Sequence, residues 1–159
     1  MKIRDVEANN RKKVFEVKTR QGDFVFPYAE CDPAPSPDDR IIDVYVDREL
    51  ANEGFTYTLA SGAEGAVHID SVLEYNEDPS YMADLALYRL TTEAQKRLEQ
   101  SSLSVREIAR RLGTSPAQLY RLLDPTNYTK SLKQMLSLLY VLGLEVDVEV
   151  RERPARATG

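Results

Sequence analysis

Apolar and polar positions alternate through the first half of the chain, the period of a strand with one buried face. Phe15 and Val17 alternate with Glu16 and Lys18, Gln21-Gly22 marks a turn, and Phe24-Val25-Phe26 follows, which predicts a hairpin. Ile42, Val44 and Val46 alternate with Asp43, Tyr45 and Asp47, and Phe55, Tyr57 and Leu59 alternate with Thr56 and Thr58. Between these runs, residues 30–39 carry prolines at 33, 35 and 37 and no periodic apolar set, so they read as a loop. Val67 and Ile69 face one way and His68 the other, placing the histidine on the open side of a strand. At Asp78-Pro79 the pattern changes to helical, with an N-cap acceptor followed by proline at the first helical position. Tyr81, Leu85 and Tyr88 share one face of a linking helix, and Thr92 with Gln95 makes a capping box for another helix near 92–101. The expected fold class is α+β: a small β-rich N-terminal domain, then an all-α helix-turn-helix domain with a short C-terminal strand. The expected boundaries are 1–75 for the β-rich domain, 76–90 for the linking helix, 91–152 for the helical domain with its strand, and 153–159 for a flexible tail.

The helical half holds one dense group of signals, SVREIARRLGTSPAQLYRLL at residues 104–123. Ser104 and Glu107 form a capping box for a helix from Val105 to Leu112, and Gly113 stands where a helix ends in a left-handed residue. Ser115, Pro116 and Gln118 restart the chain as N-cap, first helical residue and box partner. Ile108 and Leu112, then Leu119 and Leu122, repeat at helical spacing, and Ala109 is small where two such helices must approach closely.

This alanine-to-glycine spacing with flanking aliphatics resembles the helix-turn-helix of the lambda-repressor and Cro class, over roughly residues 91–143. The following run, RLLDPTNYTKSLKQMLSLLYVLGLEVDVEV, is similar to the C-terminal DNA-binding segments of HicB-type and HigA-type antitoxins, in which a short strand follows the last helix. The N-terminal half departs from the HicB pattern, lacking its short helix-bearing domain, and its start, MKIRDVEA, resembles a small uncharacterised bacterial β-domain. The resemblance implies that the helix beginning at Pro116 enters the major groove of double-stranded DNA. Ala117, Gln118 and Arg121 then face base edges, where glutamine suits adenine, arginine suits guanine, and alanine offers a methyl contact to thymine. Thr114, Ser115, Tyr120, Asn127, Thr129 and Lys130 are the candidates for phosphate contact.

Charge sharpens this picture. The chain carries a net charge of -5, which is unpromising for a partner of a polyanion until it is divided. Residues 1–80 hold 9 basic and 17 acidic side chains, whereas residues 104–133 hold 6 basic and 2 acidic ones. Phosphate attraction acts over roughly 8–10 Å at ordinary salt, so the local basic surface governs. One cysteine, Cys31, and one histidine, His68, leave no disulfide, metal set or nucleophilic triad. No catalytic residue, metal or cofactor is expected: paired acids such as Asp43 and Asp47, or the loop acids Asp32, Asp38 and Asp39, are surface features by default. No apolar stretch approaches the roughly 20 residues a bilayer needs, and no secretory h-region is visible, so the expectation is a cytoplasmic protein without a membrane partner.

The reading that joins these observations is a sequence-specific transcriptional repressor or autoregulator. The alternatives are an antitoxin whose N-terminal domain binds a toxin, and a ligand-sensing regulator. A homodimer is expected from the last segment. Leu132, Met135, Leu136, Leu139 and Leu142 fill one face of a helix, which leaves Leu138, Tyr140 and Val141 apolar on the other. Leu144, Val146, Val148 and Val150 then alternate with Glu145, Asp147, Glu149 and Arg151, as in a strand that needs a neighbour, either the same strand of a second subunit, which the resemblance favours, or the N-terminal sheet of its own chain. Leu138, Val141, Leu144, Val146 and Val148 are thus the expected dimer interface, a self-complementary surface that would match palindromic DNA.

Overall fold

Two aromatic-rich sheets grow out of the alternating half. In the computed structural model, which describes residues 1–154, strands β1 (Ile3–Asn9), β2 (Val14–Thr19) and β3 (Asp23–Pro27) form one antiparallel sheet in that order. A single 3-10 turn at Tyr28–Glu30 and the proline loop lead to β4 (Ile41–Val46), β5 (Gly54–Leu59) and β6 (Glu64–His68), a second antiparallel sheet in chain order. Pairing follows the apolar register: Phe15 lies opposite Phe26, Val17 opposite Phe24, and Phe55 opposite Val67. The β2–β3 turn is closed by Thr19, whose backbone N–H and hydroxyl both donate to the Gly22 carbonyl. The buried ring of Phe15 lies 5.0 Å from Tyr28, 4.8 Å from Phe55 and 5.2 Å from Tyr57, so residues of both sheets share one apolar core. Burying such a ring contributes about 1.5–3 kcal/mol relative to leaving it in water.

The chain divides into two units, Met1–Tyr81 and a second beginning at Met82. The first is not purely β. Strand β6 ends at His68, and Ile69–Tyr75 forms helix α1, with Ile69, Val72 and Leu73 buried at helical spacing. His68 is its N-cap: its Nδ1 accepts from the Asp70 backbone N–H at 3.2 Å, so Ile69 begins a helix and does not extend the strand. Helix α2 is a single element, Pro79–Gln100, where the sequence predicts two. Asp78 caps its start by accepting from Tyr81 N–H. Thr91 and Thr92 turn their hydroxyls back to the carbonyls of Leu87 and Arg89, so neither breaks the helix as a cap would.

The second unit continues with α3 (Val105–Leu112), α4 (Pro116–Leu123) and α5 (Leu132–Val141). Ala94 of α2, Ile108, Ala109, Leu119, Leu122, Met135, Leu138, Leu139 and Leu142 make its core. The expected fold class is corrected here. A small β domain followed by an all-α domain with a C-terminal strand becomes two three-stranded sheets with a helix, then helices followed by a segment without helix or strand pairing from residue 144 to 154. The segment alternates as a strand should, yet among the described residues no sheet edge pairs with it, and a strand exists only through its neighbour. Leu144 and Val146 instead lean on the helical core. The expected tail at 153–159 falls, from 155 onward, outside the described residues. No helix among the described residues is long and apolar enough to cross a membrane.

The aromatic core sets a sharp steric limit at Gly65, where an added Cβ would collide with the hydroxyl, Cζ and Cε1 of the fully buried Tyr57. Gly65→Ala is expected to cost about 1–3 kcal/mol, as overpacking does, in a denaturant titration of the full chain. Unchanged stability would show that the Tyr57 ring can shift freely.

Candidate nucleic-acid interface

The α3–α4 pair is built by caps. Ser104 Oγ accepts from Glu107 N–H at 3.2 Å and starts α3; Gly113, at φ 74° and ψ 33°, ends it in the left-handed region. There Gly113 N–H donates to Arg110 O and Thr114 N–H to Ala109 O, which satisfies carbonyls the helix would leave bare. Ser115 Oγ then accepts from Gln118 N–H at 3.2 Å, with Pro116 at the first position of α4. Ile108, Ala109, Leu119 and Leu122 are buried, and the small Ala109 side chain, 1% exposed, leaves room for the helices to close on each other.

With these positions turned inward, Ala117, Gln118 and Arg121 lie on the exposed side of α4, joined by Ser115 and Tyr120, which is 60% exposed. Thr114 is half-buried at the turn. The side chains of Gln118 and Arg121 make no hydrogen bond within the described residues. Only the backbone of Gln118 takes part in the Ser115 cap, leaving its amide outward.

Beyond α4 the expected phosphate contacts have hydrogen-bond partners within the chain. Asn127 donates from Nδ2 to the Arg121 carbonyl at 3.2 Å, and its Oδ1 accepts from both the N–H and hydroxyl of Thr129. These two side chains hold the loop to the end of α4. Lys130 is moved from the surface to the interior. Its Nζ donates to Thr91 Oγ1 at 2.7 Å, Leu122 O at 2.8 Å and Asp124 O at 2.7 Å, which uses all three ammonium donors. Burial lowers its pKa from the ordinary lysine value, and the nearby Asp124 carboxylate opposes that shift. Placing a cation against the last carbonyls of α4 also complements the negative end of the helix dipole.

Helix α2 supplies polar partners to this assembly that the sequence analysis does not anticipate. Gln95 donates from Nε2 to Leu123 O at 2.8 Å, Arg97 from Nε to Leu142 O at 3.0 Å, and Thr91 receives Lys130. Gln95 serves α4 and not a cap with Thr92, and the signal for this is the set of polar residues at 91, 95 and 97 on a helix that must also face a core.

The positive charge of the segment is smaller in space than in sequence. Arg110 donates from Nε to Glu107 Oε2 at 2.9 Å and Arg111 from Nε to Glu107 Oε1 at 3.0 Å. Those bonds, Arg110's first, pull the Glu107 carboxyl down from 4.5 to about 2, so it stays ionised and keeps both arginines engaged throughout the neutral range. With Lys130 interior, Arg106, Arg121 and Lys133 are the exposed cations of residues 104–133 that form no ion pair among the described residues.

The expected dimer residues separate into two groups. Leu138 is corrected: it is 1% exposed and belongs to the core of its own unit. In α5 the buried stripe is Met135, Leu138, Leu139 and Leu142, while Leu132 is 53% exposed, so the helix is rotated from the expected face. Val141, Leu144 and Val146 are half-buried against the same core, and Val148 is 78% exposed. Tyr140, exposed, places its hydroxyl 3.4 Å from the Val146 carbonyl.

No family model, curated protein or solved structure matches the chain.

Lys130 gives this subsection its test. Lys130→Met keeps the apolar stem but leaves the Leu122 and Asp124 carbonyls and the Thr91 hydroxyl without their donor. The expected loss is about 2–4 kcal/mol, since a buried polar group abandoned by its partner bears its full desolvation cost. Thr91→Val, which removes one acceptor of three, should lose less. A Lys130→Met protein as stable as the parent in urea would put the ammonium in solvent.

Proposed function

We propose that this chain binds double-stranded DNA through α4 and acts as a sequence-specific transcriptional repressor or autoregulator. The observation that carries the reading is the cap-defined α3–Gly113–α4 pair, whose outer face presents Gln118 and Arg121 with no internal hydrogen-bond partner. A helix that sets its N-terminal turn into the major groove brings such side chains to base edges. Arg121 offers a planar fork for the two acceptors of guanine, Gln118 a donor and an acceptor for adenine, and Ala117 a methyl for thymine. Thr114, Ser115 and Tyr120 border this face and take the phosphates, and Arg106 and Lys133 steer the approach. With so few free cations, affinity depends steeply on base contacts and the salt slope is shallow, because each phosphate neutralised contributes close to one unit of slope.

A dimer supplies two such helices for two half-sites about one helical turn apart. Leu132, Tyr140, Val148 and Val150, all exposed, are the apolar surface that would be covered.

Two measurements test these statements. After selection of bound sequences from a random duplex library, Arg121→Ala should weaken binding to the preferred duplex by about 1–3 kcal/mol and relax a single position of the site. Equal weakening on selected and random duplexes would make Arg121 a phosphate contact, and failure to enrich any sequence would remove the DNA reading altogether. In sedimentation at micromolar concentration the chain should run as a dimer and Tyr140→Ser with Val148→Ser as a monomer. A parent chain that is already monomeric ends the dimer proposal.

A further inference from the structure

The N-terminal unit contains a cleft of about 420 Å³ lined by Asn10, Lys13, Tyr28, Pro35, Ser36, Pro37, Arg40 and Ile41. We propose that it binds a small organic carboxylate with an apolar body, held by Lys13 and Arg40 at its charged end and by Tyr28, the two prolines and Ile41 along its flank. This inference stands apart from the DNA reading, and either can fail without the other.

Charge is the first argument. Acids outnumber bases 17 to 9 over residues 1–80, yet this lining holds two cations and no carboxylate. The acid nearest Arg40 in sequence is engaged elsewhere: Asp39 accepts from the Ser61 N–H at 2.8 Å and from its hydroxyl at 2.7 Å. Neither Lys13 nor Arg40 forms an ion pair among the described residues.

Preorganisation is the second. Tyr28 anchors one wall at both ends. Its backbone N–H donates to the Lys13 carbonyl at 3.0 Å, and its hydroxyl donates to Asn10 Oδ1 at 2.8 Å, which leaves the Asn10 Nδ2 protons as donors for a ligand. Lys13 itself is held at φ 56°, a left-handed conformation that costs a side-chain-bearing residue energy and persists only where its surroundings impose it. On the opposite wall, Ser36 and Asp39 exchange backbone hydrogen bonds at 3.1 Å, and the Arg40 carbonyl accepts from Ala60 N–H at 2.8 Å. Both cations therefore start from pinned backbone, and a ligand has only their side-chain rotamers left to order. Arginine's planar fork matches a carboxylate, and the buried Tyr28 ring with two prolines suits a flat apolar group.

The probes are benzoate, its neutral analogue benzyl alcohol, and inorganic phosphate, each titrated into the full chain and followed by backbone amide resonances. Benzoate should move the amides of residues 10–13, 36 and 40–41 with a dissociation constant of roughly millimolar order, and the other two should bind at least about tenfold more weakly. Lys13→Asn, chosen because asparagine tolerates left-handed backbone, combined with Arg40→Gln should weaken benzoate about tenfold or more while the remaining amide dispersion is kept. The proposal is overturned by any of four results: no benzoate response at about 10 mM, a response confined to other residues, equal binding of benzyl alcohol or phosphate, or a double variant that folds and binds benzoate as the parent does.

Discussion

The helical unit turns on one ammonium group. Lys130 reaches from the loop after α4 into the interior, where it meets the end of α4 through the Leu122 and Asp124 carbonyls and the middle of α2 through Thr91. A cation removed from water is tolerated only when its donors are all taken, and here three donors meet three oxygens. That requirement dictates much around it. The loop of residues 124–130 must fold back beneath α4, which it does through the Asp124–Thr126 and Asn127–Thr129 turns. The hydroxyl of Thr91 must face inward, although it also donates to Leu87 within its own helix. Ser131, immediately after Lys130, is consequently in place to cap α5.

The same constraint reshapes the electrostatics of the outer surface. A count along the sequence assigns residues 104–133 a strong positive excess, but Lys130 is spent inside and Glu107 holds Arg110 and Arg111. Glu107 is ionised above its unfolded pKa and keeps this pairing until pH falls toward its folded value of about 2, so acidification to mildly acid conditions does not release the two arginines. What remains for a polyanion is sparse. Sequence-independent attraction to phosphates scales with the number of free cations, so on this surface it is weak.

How much of this could be read from the sequence depends on the range of the interaction. The N-caps were legible because each is complete within four residues: Ser104 Oγ and Ser115 Oγ accept from the Glu107 and Gln118 N–H groups, although the Glu107 carboxylate turns to Arg110 and Arg111 and the Gln118 amide stays outward, so neither box closes. Strand alternation was legible for β2 for the same reason, but in β4 the register shifts between Ile41 and Asp43 and leaves Ile42 exposed, and in β5 Thr56 is buried between Phe55 and Tyr57. Helix α1 was not, since Ile69, Val72 and Leu73 follow a strand without a break and His68 is an unusual cap. The C-terminal segment misled because alternation reports only which side is apolar, while pairing depends on an edge elsewhere. In α5 nearly every position is apolar, so two overlapping stripes fit, and the choice of Leu138 over Leu132 is made by neighbouring helices. Lys130 was unreadable in principle: its three acceptors lie 6, 8 and 39 residues away.

Chemistry suited to a phosphate does not by itself make a side chain available for one. On the α3–α4 surface, a polar side chain whose donors are taken up by a loop or a buried pair has fewer left for a phosphate, whereas Ser115 Oγ only accepts in its cap and keeps its O–H. Asn127, Thr129 and Lys130 have good chemistry for phosphate and internal partners for it. Gln118 passed the same filter in the other direction: its sequence position suggested a reciprocal cap, but Ser115 needs only its backbone N–H, which leaves the amide to the surface. Arg121 differs from Arg110 and Arg111 in having no acid one turn before it, since the residue four positions earlier is Ala117. On a helix face, ion pairs form between residues three or four apart, and Asp124, the one acid at that spacing from Arg121, turns its carboxylate to the N–H and hydroxyl of Thr126, which leaves the guanidinium outward without an ion pair among the described residues.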